Sequence, residues 1–398
     1  MRRRDRERLV MAVAGFVAIA MVTPEATADT PRFRSLSGSL EKTCAITESG
    51  EVWCWGEISR FGFGSSRPAR LPSPKRFSEV DGDFGNACLL GLDGRVYCIG
   101  YDDFGIRPAG SSAGPEIRRT PSLLTRGPLV ESLQFRDMSS TGVAVCAVGD
   151  DGSIWCWGRN EQGVFGNDRE SGDRVDVDSP SRVLSNVHFV DVEVGRKHAC
   201  GLSDVGAAFC WGTNHKGQLG DGSTTDRFVP APVSGDHRFR SISIGGVATC
   251  GVTLDGEGLC WGHNRQFGLG DGTQTDRRVP HPVSGNHRWK SIERFTSGAC
   301  GLTENGRAWC WGEGTQGMLG TGDIGQPGIA DRHFLIARVP SAVVGDHVFS
   351  TLTVGYDHAC GLTTDSEVWC WGGNAVAQLG VPRSATRNSG SPVRVQLP

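Results

Sequence analysis

The chain has 398 residues, with 41 Lys and Arg against 44 Asp and Glu, a formal net charge of −3 and a pI near 6.4. So even a balance argues against a nucleic-acid-binding face spread over the whole protein. A mean hydropathy of −0.26 and 8% aromatic residues exclude a polytopic membrane protein. Glycine is abundant, at 57 residues. It has no collagen-like period and so points to many tight turns. Fourteen cysteines form an even count, and a high one for a reducing compartment.

The N-terminus has the pattern of an export signal. Arg2, Arg3, Arg4, Arg6 and Arg8 precede an apolar run from Leu9 to Val22. Ala26-Thr27-Ala28 then supplies small residues for cleavage, so a signal peptide over residues 1–28 is expected. The apolar run is shorter than the roughly 20 residues needed to span a bilayer, and no Cys follows it to suggest a lipoprotein. Residues 1–28 carry five Arg against Asp5, Glu7 and Glu25, so removing their +2 leaves a mature chain at −5. The expected location is outside the cytosol, in periplasm or medium, where disulfides persist.

The rest of the chain, residues 32–398, reads as one domain of seven repeats. Cysteines fall at 44/54, 88/98, 146/156, 200/210, 250/260, 300/310 and 360/370, always as C-x9-C. Eleven residues before each first Cys stands Phe33, Phe77, Phe135, Phe189, Phe239, Trp289 or Phe349. Two residues after each second Cys stands Gly56, Gly100, Gly158, Gly212, Gly262, Gly312 or Gly372. Insertions lie at about 102–134 and 320–338.

Each repeat reads as short strands. In the last, Phe349–Val354 alternates, Cys360–Thr363 is a second strand and Glu367–Trp371 a third, with a three-residue turn between the latter two. That turn wants a left-handed residue at its third position. Six repeats place Gly there (Gly50, Gly94, Gly152, Gly206, Gly256 and Gly306), and the seventh has Ser366. Folding such a hairpin sets Cys44 opposite Cys54, and likewise Cys88–Cys98, Cys146–Cys156, Cys200–Cys210, Cys250–Cys260, Cys300–Cys310 and Cys360–Cys370. Residues opposed in this way are within disulfide reach. Zinc knuckles and C-x-x-C redox sites have other spacings. Buried free thiols are the alternative.

Strands at a period of about 50 residues suit a propeller or a solenoid. Seven units without polar capping repeats favour the closed ring. Pro230-x-Pro232-Val233 and Pro280-x-Pro282-Val283 stand before the Phe239 and Trp289 strands, and Pro392-Val393 ends the chain. Residues 391–396 are therefore expected to join the blade begun at Phe33 and close the ring, removing the open edge.

His358-Ala359-Cys360-Gly361-Leu362-Thr363, then Glu367 to Gly372, Asn374, and Gln378-Leu379-Gly380 resemble the repeat of the regulator of chromosome condensation family. His198, Gly201-Leu202, Cys210-Trp211-Gly212, Asn214 and Gly217-Gln218-Leu219-Gly220 match it as well. The resemblance covers roughly residues 32–398 and implies an all-β fold, a seven-bladed β-propeller. Paired cysteines depart from intracellular members and suggest an exported branch. The founding member's nucleotide exchange on a chromatin-bound GTPase therefore ranks behind a protein-binding disc among the expected functions.

No catalytic constellation stands out, and no enzyme activity, cofactor or metal site is expected. Gly110-Ser111-Ser112-Ala113-Gly114 fits a nucleophile motif but lies in a Gly/Pro-rich insertion without the strand and helix that motif needs. The loops 220–226 and 270–276 are rich in Asp and Gly, which reads as turns over calcium ligation. His198 and His358 read as structural, and the tryptophans beside the second cysteines as blade packing. Function is then expected in surface loops. The loops between the first two strands of each repeat share one face. Lys42, Phe84, Arg196, Lys197, Phe295, Tyr356 and Asp357 are the proposed partner contacts, being the aromatic and charged types used in hot spots. The expected molecule is a monomeric, exported protein-binding propeller. The alternatives are an envelope or carbohydrate binder and, behind it, a guanine-nucleotide-exchange-like regulator or a lyase or hydrolase with carboxylates or His around the channel.

Overall fold

In every repeat the two cysteines are paired partners across an antiparallel ladder, from Cys44↔Cys54 to Cys360↔Cys370. All fourteen are joined in this way, with Cα–Cα distances of 4.0 to 4.1 Å. The hairpin turn before each second cysteine has the left-handed residue that the spacing demands, with φ between +68° at Gly94 and +82° at Gly256. Ser366 holds the same conformation at φ 64°.

This computed structural model describes residues 31–58, 67–82, 86–101, 117–123, 132–142, 144–169, 174–175, 180–327 and 333–397. The expected signal peptide, Phe84, the Gly110–Gly114 motif and parts of both insertions lie outside them.

The described strands form seven antiparallel sheets. Blade 4 shows the plan, with strands Phe189–Val194, His198–Ser203, Ala208–Gly212 and Arg227–Pro232 paired in sequence order. First strands of successive blades touch one another all the way round, including Phe33–Gly38 against Phe349–Val354, so they surround the axis and the chain forms a closed ring. A single 3₁₀ turn, Glu161–Gly163, is the helical content of the described residues.

The core lies between blades. Phe33, Ala45 and Trp55 of blade 1 pack with Leu362, Val368, Leu379 and Val395 of blade 7. Ile154 and Phe165 of blade 3 pack with Phe189 and Trp211 of blade 4. The tryptophans after the second cysteines, at 55, 157, 211, 261, 311 and 371, are wholly buried. Each ring removes roughly 150–250 Å² from water. Glycine after the first cysteine makes room for the repeat's aromatic: a Cβ on Gly201 would stand 2.7 Å from Phe189 Cδ1, and one on Gly361 2.4 Å from Phe349 Cδ1.

The ring does not close through the C-terminal strand as expected. Residues 391–396 do not join the Phe33 blade. Asn388–Arg394 is the outer strand of blade 7, with Cys370↔Val393 and Trp369↔Arg394 in register. The Pro-containing segments before Phe239 and Trp289 likewise belong to the preceding blades, as Phe209↔Pro232 and Leu259↔Pro282 show. Blade 1 has its own outer strand at Ala69–Arg70. Each repeat is therefore one complete blade, and closure falls to packing and individual hydrogen bonds between blades 7 and 1. The Thr43 hydroxyl lies 2.8 Å from His358 Nε2, Trp55 Nε1 donates to Gln378 O at 3.0 Å, and Gly38 N donates to Thr353 Oγ1.

Candidate interaction face

Strand order fixes the two faces. Strands alternate in direction, so the loops between first and second strands emerge on the same face as those between third and fourth. At the axis of that face is a cavity of about 560 Å³. Every blade contributes to its wall, through Leu40, Asp81, Thr141, Lys197, Val247, Phe295 and Tyr356 in order. A second cavity of about 260 Å³ adjoins it, between Phe295, Glu313, Gln316, Tyr356 and Asp357.

The proposed contact residues divide by their surroundings. Arg196 and Lys197 of blade 4 and Tyr356 of blade 7 line different parts of the axial cavity wall, with Arg196 and Tyr356 exposed. Asp357 is half-buried and accepts a hydrogen bond from Gln378 Nε2 at 3.1 Å. Phe295 is buried against the edge of the cavity. Lys42 is turned inward: its ammonium donates to the Asn86 carbonyl at 3.0 Å, tying blade 1 to blade 2. The exposed surface of this face is therefore carried by Arg196, Lys197 and Tyr356 among the described members of the set.

The inner strands hold a cluster of carboxylates that the sequence reading passed over. Glu79, Asp81, Asp137, Asp191, Glu193 and Glu293 occupy the second and fourth positions after the repeat aromatic. Side chains at those positions reach the next blade's backbone. Glu79 Oε2 accepts from Met138 N at 3.0 Å, Asp81 Oδ2 from Ser140 N at 2.6 Å and Asp137 Oδ2 from Val192 N at 2.9 Å. Neutral side chains do the same elsewhere: Ser139 Oγ accepts from Val194 N, and Ser243 Oγ from Arg294 N. Of this cluster, Glu79, Asp81 and Asp137 latch one blade to the next. Their signal was the aromatic-x-acid-x-acid spacing of Phe77-Ser78-Glu79-Val80-Asp81 and Phe189-Val190-Asp191-Val192-Glu193.

Enclosure raises their proton affinity. Burial first, then the Asp137 charge, pushes Glu79 up to about 8. Burial and then Asp137 push Asp191 up to about 7. Burial alone pushes Glu293 to about 7, and burial with Asp191 and other carboxylates holds Glu193 well above its usual range. Asp137 rises to about 6, because burial outweighs the hydrogen bond from Val192. This is the behaviour of like charges withdrawn from bulk water.

His198 is fully buried, with Nε2 2.8 Å from Thr249 Oγ1 of blade 5. Burial, then Arg294, pushes its imidazole down to about 3, so it stays neutral. The Thr43–His358 pair is the same joint between blades 7 and 1.

The Asp- and Gly-rich loops are organised by an amide. Asn214 Nδ2 donates within one loop to Asp221 Oδ1, Ser223 O and Thr225 O, at 3.0 to 3.2 Å, while Asn214 Oδ1 accepts from Leu219 N. Asn264 repeats this with Asp271, Thr273 and Leu269. The Asp221 and Asp271 carboxylates are completed by Arg227 and Arg277. No group of three or more metal-ligating side chains occurs among the described residues.

A sequence profile of the regulator of chromosome condensation (RCC1) repeat matches residues 151–202 and 206–252, and a second profile of that repeat matches 189–218 and 349–378. The chain carries RCC1 repeats in a seven-bladed β-propeller. The E3 ubiquitin-protein ligase HERC2 of Homo sapiens is 30% identical over 216 residues, 51% of this chain but 4% of HERC2. Human WBSCR16 superposes with a TM-score of 0.71 at 21% identity, covering 84% of this chain and 86% of that one. Yeast RCC1 (Prp20), solved bound to Kap60, superposes with a TM-score of 0.71 at 19% identity over 96% of this chain and 91% of that one. Such identities establish the fold. In the RCC1-repeat ring described here, a disulfide clamps each blade's central hairpin.

Proposed function

We propose that this RCC1-repeat propeller is an exported, non-catalytic protein-binding module, and that its partner docks on the face carrying the axial cavity. The observation that carries this reading is the cavity wall, to which all seven blades contribute and which Arg196 and Lys197 of blade 4 and Tyr356 of blade 7 line. Aromatic and arginine side chains around a concave centre are the types that dominate protein hot spots. Three of the inner-strand carboxylates, Glu79, Asp81 and Asp137, are engaged in latching blades, which favours binding over hydrolysis or elimination. Seven disulfides and the signal-like N-terminus support a site of action in an oxidising compartment. Prp20 has been crystallised with a protein partner, which lends support by analogy of fold alone.

The test is affinity capture from the exported fraction with the oxidised protein and its Arg196→Ala/Tyr356→Ala variant. The reading predicts that the variant keeps its melting temperature and loses the captured protein. Undiminished capture would place the contact elsewhere.

A further inference from the structure

The loops following the third strands of blades 4 and 5 are built alike and stand side by side on the same face. Asn214 and Asn264 fix each from within. Blade 4's loop rests directly on blade 5: Gly222 N donates to Arg278 O at 2.9 Å, and a Cβ on Gly217 would stand 2.7 Å from Arg278 Cα. Between the loops runs a groove of about 780 Å³. Its walls carry His215, Lys216, His263, Arg265 and Arg278 against one carboxylate, Asp276. Lys216 Nζ lies 3.2 Å from Asp276 Oδ2, while His263 Nδ1, at 3.2 Å, and Asn264 N, at 2.8 Å, share Oδ1. That carboxylate is fully engaged. The exposed guanidinium groups of Arg265 and Arg278 have no ion-pair partner among the described residues. Burial, then the charge of Lys197, holds the His215 imidazole below its usual range, so the positive charge of the groove is that of Lys216, Arg265 and Arg278. Val247 lines both the groove and the axial cavity, so the cationic surface runs on to Lys197 and Arg196.

We propose that this groove receives an acidic polypeptide segment of the partner, a run of Asp or Glu side chains that pair with Arg265, Arg278 and Lys216. The proposal rests on the reading that a protein partner docks on this face, and it names the partner's chemistry. No Trp, Tyr or Phe lines the groove, so it lacks the stacking platform that nucleobases or sugar rings use. Gln274 and Thr275 supply amide and hydroxyl groups suited to a peptide backbone. The pinned loops make the cradle preformed, which lowers the ordering cost of binding.

The experiment is fluorescence anisotropy on the oxidised full-length chain with a labelled oligoglutamate peptide, alongside a heparin oligosaccharide and a single-stranded DNA of matched charge. The proposal predicts saturable peptide binding that weakens with salt. It predicts about a tenfold loss in Arg265→Glu/Arg278→Glu, retention in Arg265→Lys/Arg278→Lys, and no loss in Arg238→Glu on the opposite face. Absence of peptide binding, or equal binding by the charge-reversed protein, overturns it. Binding of heparin or DNA without the peptide also overturns it, in favour of an anionic polymer of that class. If the exported partner is lost from Arg196→Ala/Tyr356→Ala but kept by Arg265→Glu/Arg278→Glu, the docking face stands and this groove is not its acidic receptor.

Discussion

The hydroxyl of Thr43 lies 2.8 Å from Nε2 of His358, although 315 residues separate them. The same contact joins His198 to Thr249 between blades 4 and 5. One inter-blade joint thus serves both within the chain and across its ends, and no exchanged strand is needed to seal the ring.

Removing that hydroxyl leaves the buried imidazole without its partner. Thr43→Val is therefore predicted to destabilise the protein by about 1–3 kcal/mol. Thr249→Val should behave alike, since it breaks the equivalent joint. Denaturant titration of both variants measures the effect, and a cost confined to Thr249→Val would show that the first and last blades are joined by other means.

Stability should fall as pH rises above neutrality. Glu79, Asp191, Glu193 and Glu293 have folded proton affinities above those of an unfolded chain. The folded state therefore binds more protons than the unfolded one between about pH 4 and 8, and its stability declines across that window. His198, held down to about 3, works the other way, costing stability as pH falls below about 6.5. Above that value the carboxylates act alone. The melting temperature should drop from pH 6.5 to 8.5, and Glu79→Gln, whose amide oxygen can still accept from Met138 N, should flatten the drop and raise the value at pH 8. A rising profile would contradict the raised proton affinities of these carboxylates.

Asn214 is predicted to matter more than any carboxylate in its loop. Asn214→Asp replaces an amide donor by a charge facing Asp221 Oδ1 and two carbonyls. It should cost about 2–3 kcal/mol and speed hydrogen exchange over residues 214–226. Calcium should leave the wild-type melting temperature unchanged. A calcium-dependent rise would identify the loop as a cation site instead of an amide-filled cage.

Ser366 occupies the left-handed position where six blades have glycine. Side chains other than glycine carry a steric penalty there, so Ser366→Gly should stabilise the protein by up to about 1 kcal/mol in a thermal melt. Ser366→Ala should give no gain.

The sequence frame made the hairpins legible because they are local. A C-x9-C spacing with a left-handed turn residue leaves one way to face the cysteines, and all seven repeats repeat it. The outer strand was misassigned because Pro230–Pro232 lies between two blades in the chain, and spacing alone does not say which it pairs with. The register Phe209↔Pro232 decides it. Lys42 was read as a surface contact because a loop lysine usually faces water; its inward turn depends on the Asn86 carbonyl of the next blade, which no local pattern reveals. The carboxylate latches were hidden for the same reason, since Glu79 gains its meaning from Met138 N, 59 residues away. The groove of blades 4 and 5 likewise emerges only once two distant loops are set side by side.

The most direct measurement is non-reducing peptide mapping by mass spectrometry of the protein recovered from outside the cytosol. The account predicts an N-terminus at Asp29 and seven bridges, each within its own C-x9-C hairpin and worth about 2.5–3 kcal/mol in the chain-entropy view. Free thiols, bridges between blades, or a product retaining Met1 would contradict an exported ring clamped blade by blade.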